Sequence, residues 1–583
     1  MLLRNKILAL LVPSVVLIGL WPSGTRASDI GVSQNFFVNA KYDRTGRTQI
    51  TATLRWLGEQ AQYFIEDAYW QKLNINQQTD LSRQVTRLLQ EFDQHIYPVE
   101  TGFWGSEPNP GIDGDPRLVI VFSDLIDTAG GYFDTINQYS RRLAVDSNER
   151  EIINVSVHIL NEEQQGPAFL AHEFQHLISF YQRNFARNLD DDVWLNEMRS
   201  EYSVELLGYN NPYRGSGLQR RVADWLADPT DSLTEWKNNS SDYAQITLLA
   251  QYLVEQFGPT VLRDTLRGTS TGMTALTNAL SANGSALTAR DVFMRWAIAN
   301  LVNNTELESW SGYKNENIRR ALPVASTRTL NNLGDMGEYI FQENFSDWQA
   351  KWFELGNLVS SNNNVLQLDL GGDQLADFRL AAVLYKNNQP SAIKFYNLIN
   401  LAVPSIFVKL DSGVNKVVLI PVKFYKQKGF TNNEMTTRLT LRAKRISDVD
   451  LITPDETTPL DTINTVISSS LIDGSLIRAV GDSKVYLYQN GYRRWIRSEK
   501  IFRFYNWSFA QVVDLDQARL ERIPESNLIR LTGDKKVYQL DALGKHWLRM
   551  SGEKFIASGR NFSTVFTVNK NEFNFYKLST HFF

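Results

Sequence analysis

The five residues His172-Glu173-Phe174-Gln175-His176 constrain this chain more than any other feature. Residues four apart on a helix lie one above the other on the same face, so the two imidazoles can reach one point in space. Glu173 then projects beside them. Pro167 suits a first helical turn, and nothing breaks the pattern before Asn184. Leu170, Phe174, Leu177, Ile178 and Tyr181 give the same segment an apolar face to pack against a core. The segment therefore reads as a helix with one chemical edge and one buried edge.

Composition sharpens that reading. The chain has 583 residues, no cysteine and six histidines: His95, His158, His172, His176, His546 and His581. Cysteine nucleophiles, thiolate zinc sites and disulfides are excluded, and any metal site must draw on those histidines plus carboxylates. The segment Val193 to Tyr202 supplies them: it predicts a second helix, with Glu197 placed 21 residues after His176 and Glu201 one turn further on the same face. A catalytic zinc takes three protein ligands and keeps one open position for water, which His172, His176 and Glu197 would satisfy. Glu201 can accept the free N–H of a ligating histidine and fix its ring. The competing expectations are two histidines satisfied by hydrogen bonds on a buried helix and a Glu197 in a solvated ion pair. A structural zinc would require a fourth protein ligand, and no spare histidine stands nearby.

The pattern N-E-x-x-S-E following H-E-x-x-H resembles the gluzincin class of zinc peptidases. Over residues 36 to 305 it is similar to the hyicolysin-like family of secreted bacterial peptidases. That resemblance is carried by Phe92-Asp93-Gln94-His95-Ile96-Tyr97-Pro98, Asp113-Gly114-Asp115-Pro116-Arg117 and Ser147-Asn148-Glu149-Arg150-Glu151-Ile152. The zinc motif, Trp194 to Tyr202, Tyr243, Tyr252-Leu253, Phe257-Gly258 and Arg295 to Asn300 add to it. It implies a zinc metallopeptidase, more an endopeptidase than an aminopeptidase, in which Glu173 is general base and then acid. Many gluzincins have Asp where Glu201 stands. Some use a downstream histidine for the oxyanion, but none occurs between Glu197 and His546. Tyr243 is therefore the candidate donor, with Tyr202 and Tyr209 behind it.

The rest of the chain sets the context. Net charge is −4, with 43% hydrophobic and 21% charged residues, which fits a chain able to bury cores and gives no sign of nucleic-acid binding. Residues 1–27 read as a signal peptide: Arg4 and Lys6 precede an apolar run, and Thr25-Arg26-Ala27 offers a cleavage site. Export to the outside or to the cell surface is expected, with no membrane span after signal removal. Asp113 and Asp115 are a candidate calcium site or a tight turn. His95 and His158 read as structural.

The expected fold is multidomain α+β. A zincin-like, mainly helical catalytic domain with a small sheet is expected over residues 28–330. An all-β sandwich follows over 336–447, then an Asp/Thr/Pro-rich linker over 448–470. Within the first part, Leu54 to Phe64 and Leu81 to Tyr97 read as amphipathic helices, and Leu118–Phe122 and Ile152–Ile159 as strands. Residues 471–583 hold two small, mainly β repeats: Ser475 to Tyr486 returns as Asn527 to Tyr538, and Trp495-Ile496-Arg497 as Trp547-Leu548-Arg549, each 52 residues on. The repeats resemble modules of bacterial surface proteins, which implies cell-surface or polysaccharide attachment. The expected partner of the catalytic part is a protein or peptide substrate. Two alternatives remain at this stage: an aminopeptidase or self-processing enzyme on the same fold, and a surface adhesin whose zinc domain is not catalytic.

Overall fold

The computed structural model describes residues 30–578, except 162–164, 325, 331–337, 359–363, 372–377, 399–404, 447–473, 506, 516, 522, 542–543 and 559. The expected signal peptide (1–27) and linker (448–470) lie outside the described residues, as does His581. Among the described residues no helix is long and apolar enough to cross a membrane.

The first part is built on one mixed sheet. Its strands are β1 (Ser33–Phe37), β2 (Gln49–Leu57), β3 (Ala61–Glu66), β4 (Leu118–Ser123), β5 (Gly131–Phe133) and β6 (Ile152–Ser156), in the order β1-β2-β3-β4-β6-β5. β3, β4 and β6 run parallel, and every residue in them is buried, as their continuous apolar runs require. β5 lies antiparallel to β6 at the edge. One face of the sheet covers a small core of Phe36, Leu54, Phe64, Val121 and Ile152. The other packs on the helices.

The helix expected over Leu54–Phe64 is instead the β2–β3 hairpin. Ile50, Ala52 and Leu54 are buried while Thr51 is exposed, which is a strand period, and Gly58 closes the turn by donating its N–H to the Ala61 carbonyl. The three- and four-residue spacing of Leu54, Leu57, Ala61 and Phe64 is a coincidence of two short strands. Leu81 to Tyr97 does continue a helix, Ile75–Glu91, capped at Asn74 and Gln77 and extended by a π turn over Phe92–Ile96. Ile152–Ile159 is a strand only to Ser156, after which a 3-10 turn spans Val157–Asn161.

The next strands are β7 (Arg328–Leu330), β8 (Glu338–Phe345), β9 (Gln349–Ala350), β10 (Phe353–Leu355) and β11 (Val365–Gly371). β12 (Phe378–Lys386), β13 (Gln389–Asn397), β14 (Ser405–Lys409), β15 (Val414–Lys423) and β16 (Thr437–Ile446) follow. They form two sheets, ordered β13-β12-β15-β10-β7 and β14-β11-β16-β8, with β9 on β15. β7 precedes the expected start of the sandwich at 336, yet is hydrogen-bonded into it beside β10.

Alternation along β12 shows how this part sits. Leu380, Ala382 and Leu384 point into the core between the two sheets. Ala381, Val383 and Tyr385 point the other way, into the core of the helical part, with Trp348, Trp352 and Ile420. The sheet is thus buried on both faces. Polar contacts fasten the same interface. Ser232 Oγ donates to the Asp347 carbonyl at 2.6 Å, the Trp236 N–H to the Thr431 carbonyl at 3.2 Å, and the Glu434 N–H to Glu235 at 3.1 Å.

Two four-stranded sheets follow, over Leu476–Leu515 and Leu528–Val568, with the same strand order. In each, the first and last strands pair in parallel. Arg494 reaches across to Glu572 in a fully buried ion pair, and Tyr505 donates to the same carboxylate at 2.6 Å.

Candidate metal centre

Two adjacent helices build the site. The motif helix, Gln165–Phe180, buries Leu170, Ala171, Phe174, Leu177 and Ile178 against the core. Phe174 stacks on Tyr97 and meets Phe92 edge-on, which fixes the rotation of the helix about its axis. At the edge of the sheet, a Cβ added at Gly130 would lie 2.5 Å from the Phe169 ring, so the approach to β5 requires a residue with no side chain there.

The ligand helix, Val193–Leu206, is held at its start by charge. Asp191 is gripped by two buried arginines, Arg183 at 2.7 Å and Arg199. Arg183 also donates to the carbonyls of Gly268 at 2.7 Å and Ser270 at 2.6 Å. Such a buried network is weak evidence of stability, but removing one member strands the others at a cost of about 3–5 kcal/mol. The N-cap residue, Asp192, does not cap its own helix. Its carboxylate accepts the N–H groups of Gly429 at 2.7 Å and Phe430 at 3.1 Å, from the loop after β15.

Those supports bring three donor atoms together. His172 Nε2 lies 3.1 Å from His176 Nε2 and 3.3 Å from Glu197 Oε2, and His176 Nε2 lies 3.5 Å from the same oxygen. Donors about 2.0–2.1 Å from a tetrahedral ion stand about 3.3–3.4 Å from one another, so this triangle has the size a zinc ion needs. Glu197 Oε2 is buried and has no hydrogen-bond partner. Among the described residues this is the one group of three or more His, Cys, Asp or Glu with the spacing to hold a metal ion.

The surroundings set the tautomers. Ser200 Oγ donates to Gln175 Oε1 at 2.6 Å, so it accepts from His176 Nδ1–H at 3.0 Å. That leaves the Nε2 lone pair facing Glu197 and His172. On His172, Nδ1 faces Glu201 Oε1 at 3.6 Å, just beyond a hydrogen bond. The firmer partner of Glu201 is Arg221, whose guanidinium forks its two oxygens at 3.1 and 2.7 Å. Thr247 Oγ1 is 3.2 Å from the same carboxylate. Arg221 also stacks 4.5 Å above the Tyr243 ring.

Charge follows from these contacts. Burial opposes a charged His172, but Glu197, Glu173 and Glu201 outweigh it and push its pKa up to about 9. Burial would raise Glu197, and the two imidazoles override it, holding it well below the usual carboxylate range. Burial lifts Glu173, against the pull of the histidines and the Phe133 N–H of β5. Burial also works to raise Glu201, but Arg221 brings it down. The site therefore concentrates negative charge opposite two imidazoles, the electrostatics of a cation-binding centre.

The other expected residues are placed as follows. Tyr243 stands in the helix Ser240–Phe257, close enough that Glu197, Glu201 and Glu173 all raise its pKa after burial does so first. Its hydroxyl donates to Asn238 at 3.1 Å. Tyr202 packs against Phe103 and Trp104, and Tyr209 donates to Glu91 at 2.7 Å in a separate cavity lined by Leu88, Leu160 and Pro167. His95 pairs with Glu91 and His158 with Asp124. Asp113 and Asp115 shape a turn: Asp115 is forked by Arg117 and bonded by Gln62, and Asp113 accepts the Asp115 N–H. Ser200 could have been found from the sequence, one turn after Asn196. Arg221 could not, because nothing in its own segment points to Glu201.

No protein-family model matches the chain, and no curated protein matches it in sequence. Among solved structures it is similar to the catalytic module of the metalloprotease ZmpA from Clostridium perfringens. There the identity is 10%, over 62% of this chain and 64% of that one, at a TM-score of 0.25. It is also similar to the ZmpB metallopeptidase from the same organism, at 13% identity over 65% and 67% and a TM-score of 0.24. A periplasmic inhibitor of g-type lysozyme from Aeromonas hydrophila, PliG, matches 21% of this chain and 96% of its own, at 10% identity and a TM-score of 0.16. Likenesses this weak assign no activity, and the function of the site rests on its own geometry.

Proposed function

We propose that this chain is a zinc-dependent peptidase, exported by its N-terminal segment, with His172, His176 and Glu197 as metal ligands and Glu173 as general base. The observation that carries the reading is the triangle of donor atoms at 3.1, 3.3 and 3.5 Å, with a further acid, Glu173, on the helix of the two histidines. Three protein ligands with no fourth grouped with them among the described residues is the arrangement of a catalytic rather than a structural zinc. A bound zinc would polarise a scissile carbonyl and make its water acidic near neutral pH.

The residues of the chain do the rest. His176 is held in its ligating tautomer by Ser200, and His172 faces Glu201, which Arg221 holds in place. Glu173, 8% exposed, takes a proton from water on its carboxylate and returns it to the leaving amine. Tyr243 is the donor for the developing oxyanion, its ring fixed under Arg221 and its hydroxyl free to exchange Asn238 for substrate.

The test is metal analysis with a fluorescent casein assay on wild type and Glu173→Gln. About one zinc per chain in both, with a loss of about 10²–10⁴ in rate in the variant, is the expected result. Wild-type turnover by Glu173→Gln removes that residue from the reaction. Zinc in both with cleavage in neither removes a general peptidase.

A further inference from the structure

The two C-terminal repeats have drifted apart, and two groups stand out among the residues they keep. Ile477 and Ile529, Val485 and Val537, and Tyr486 and Tyr538 are identical and buried, as a shared core demands. Asp482 and Asp534 each accept the N–H two residues on, which holds the same turn. A second retained set lies nearer the surface, although Trp495 is half-buried against the core of its repeat. Lys484, Trp495 and Arg497 return as Lys536, Trp547 and Arg549. Both lysines are exposed, and Trp547 is 38% exposed.

The geometry is retained with the identities. Lys484 Nζ lies 5.3 Å from the centroid of Trp495, and Lys536 Nζ lies 5.0 Å from that of Trp547. The guanidiniums of Arg497 and Arg549 stand 5.6 and 4.8 Å from the same rings. An exposed cation–aromatic contact is worth only about 0.5–1 kcal/mol, too little to preserve two such sets for stability. Arg497 also donates to the Asp541 carbonyl of the following repeat, which accounts for that one residue. Core packing accounts in part for Trp495, and neither contact accounts for Trp547 or the lysines.

Charge points to the partner. Residues 471–583 carry 18 Lys and Arg against 11 Asp and Glu, whereas the whole chain carries 60 against 64. We infer that the two Lys–Trp–Arg faces bind an acidic polysaccharide, with the indole against the C–H face of a sugar ring and the flanking cations on its carboxylates or sulfates. Two equivalent faces on one chain give avidity, since the second contact forms at a high effective concentration. A neutral glycan would leave the cations unused, and an acidic peptide would leave the indoles unused.

The experiment measures retention of the full chain on immobilised polygalacturonate, with dextran, polyglutamate and single-stranded DNA as comparators. Wild type should be retained on polygalacturonate alone, and raising salt from about 0.05 to about 0.5 M should release it. Trp547→Ala should weaken retention about tenfold, and Lys484→Gln with Lys536→Gln by about tenfold or more. The lysine pair is exposed, so its loss reads binding without threatening the fold. Equal retention on dextran, polyglutamate or DNA overturns the inference, as does a lysine double variant that binds like wild type.

Discussion

Glu151 should make the protein less stable as pH rises, in a window set by its own burial. It is 3% exposed, directly before β6, and accepts one backbone N–H, from Ile112, at 3.1 Å. Burial outweighs that bond, and nearby Asp113 and Glu107 add to it, so its pKa rises from 4.5 to about 7. Between those values the folded chain holds a proton that the unfolded chain has released. The stability tied to that proton is fully present below about pH 4.5 and is lost as pH rises through about 7. A shift of that size corresponds to about 3 kcal/mol. Glu151→Gln keeps the shape and removes the titration. Urea midpoints followed by tryptophan fluorescence from about pH 4.5 to 8.5 should show the two proteins converging at the acid end. At the alkaline end the variant should be ahead by about 3 kcal/mol. A difference that does not change with pH refutes the reasoning. So does a wild type that gains stability across the window and gains more with calcium, because Glu151 would then be an ionised ligand.

Two further outcomes concern the metal centre. Glu197→Ala should lower zinc content well below one per chain under dialysis; an unchanged stoichiometry means the third ligand lies elsewhere. Arg221→Met releases the fork that holds Glu201 opposite His172, and zinc affinity measured by chelator competition should fall about 10–100-fold, with Arg221→Lys intermediate; an unchanged affinity leaves Arg221 a packing residue only.

What the sequence made legible was local. The spacing of His172 and His176, and of Glu197 and Glu201, fixes which residues share a helix face, while the contacts that bring the two faces together, such as Asp192 on Gly429, are distant in sequence. Strands whose residues are all buried, such as β4, were readable for the same reason. Where two periods coincide, as over Leu54–Phe64, a hairpin and a helix offer the same apolar spacing, and only Gly58 and the exposed Thr51 separate them. Arg221 was invisible because its partner lies 20 residues back on another helix. The partner of Tyr209 was equally illegible, because its hydroxyl donates to Glu91, 118 residues away. Asp113 and Asp115 left a calcium site and a tight turn equally open, because the fork of Arg117 on Asp115 cannot be read from spacing alone.

The contact from Asp192 to Gly429 spans 237 residues of chain. The carboxylate that starts the ligand helix therefore meets its partner only after β7 to β15 have been made. At about 5–20 residues per second, synthesis of that stretch takes roughly 12–50 s. During that interval both histidines of the motif already exist, but the helix carrying Glu197 lacks the amides that hold its first turn. The start of the Glu197 helix is thus completed late, by a loop that is made after β15 and ahead of β16.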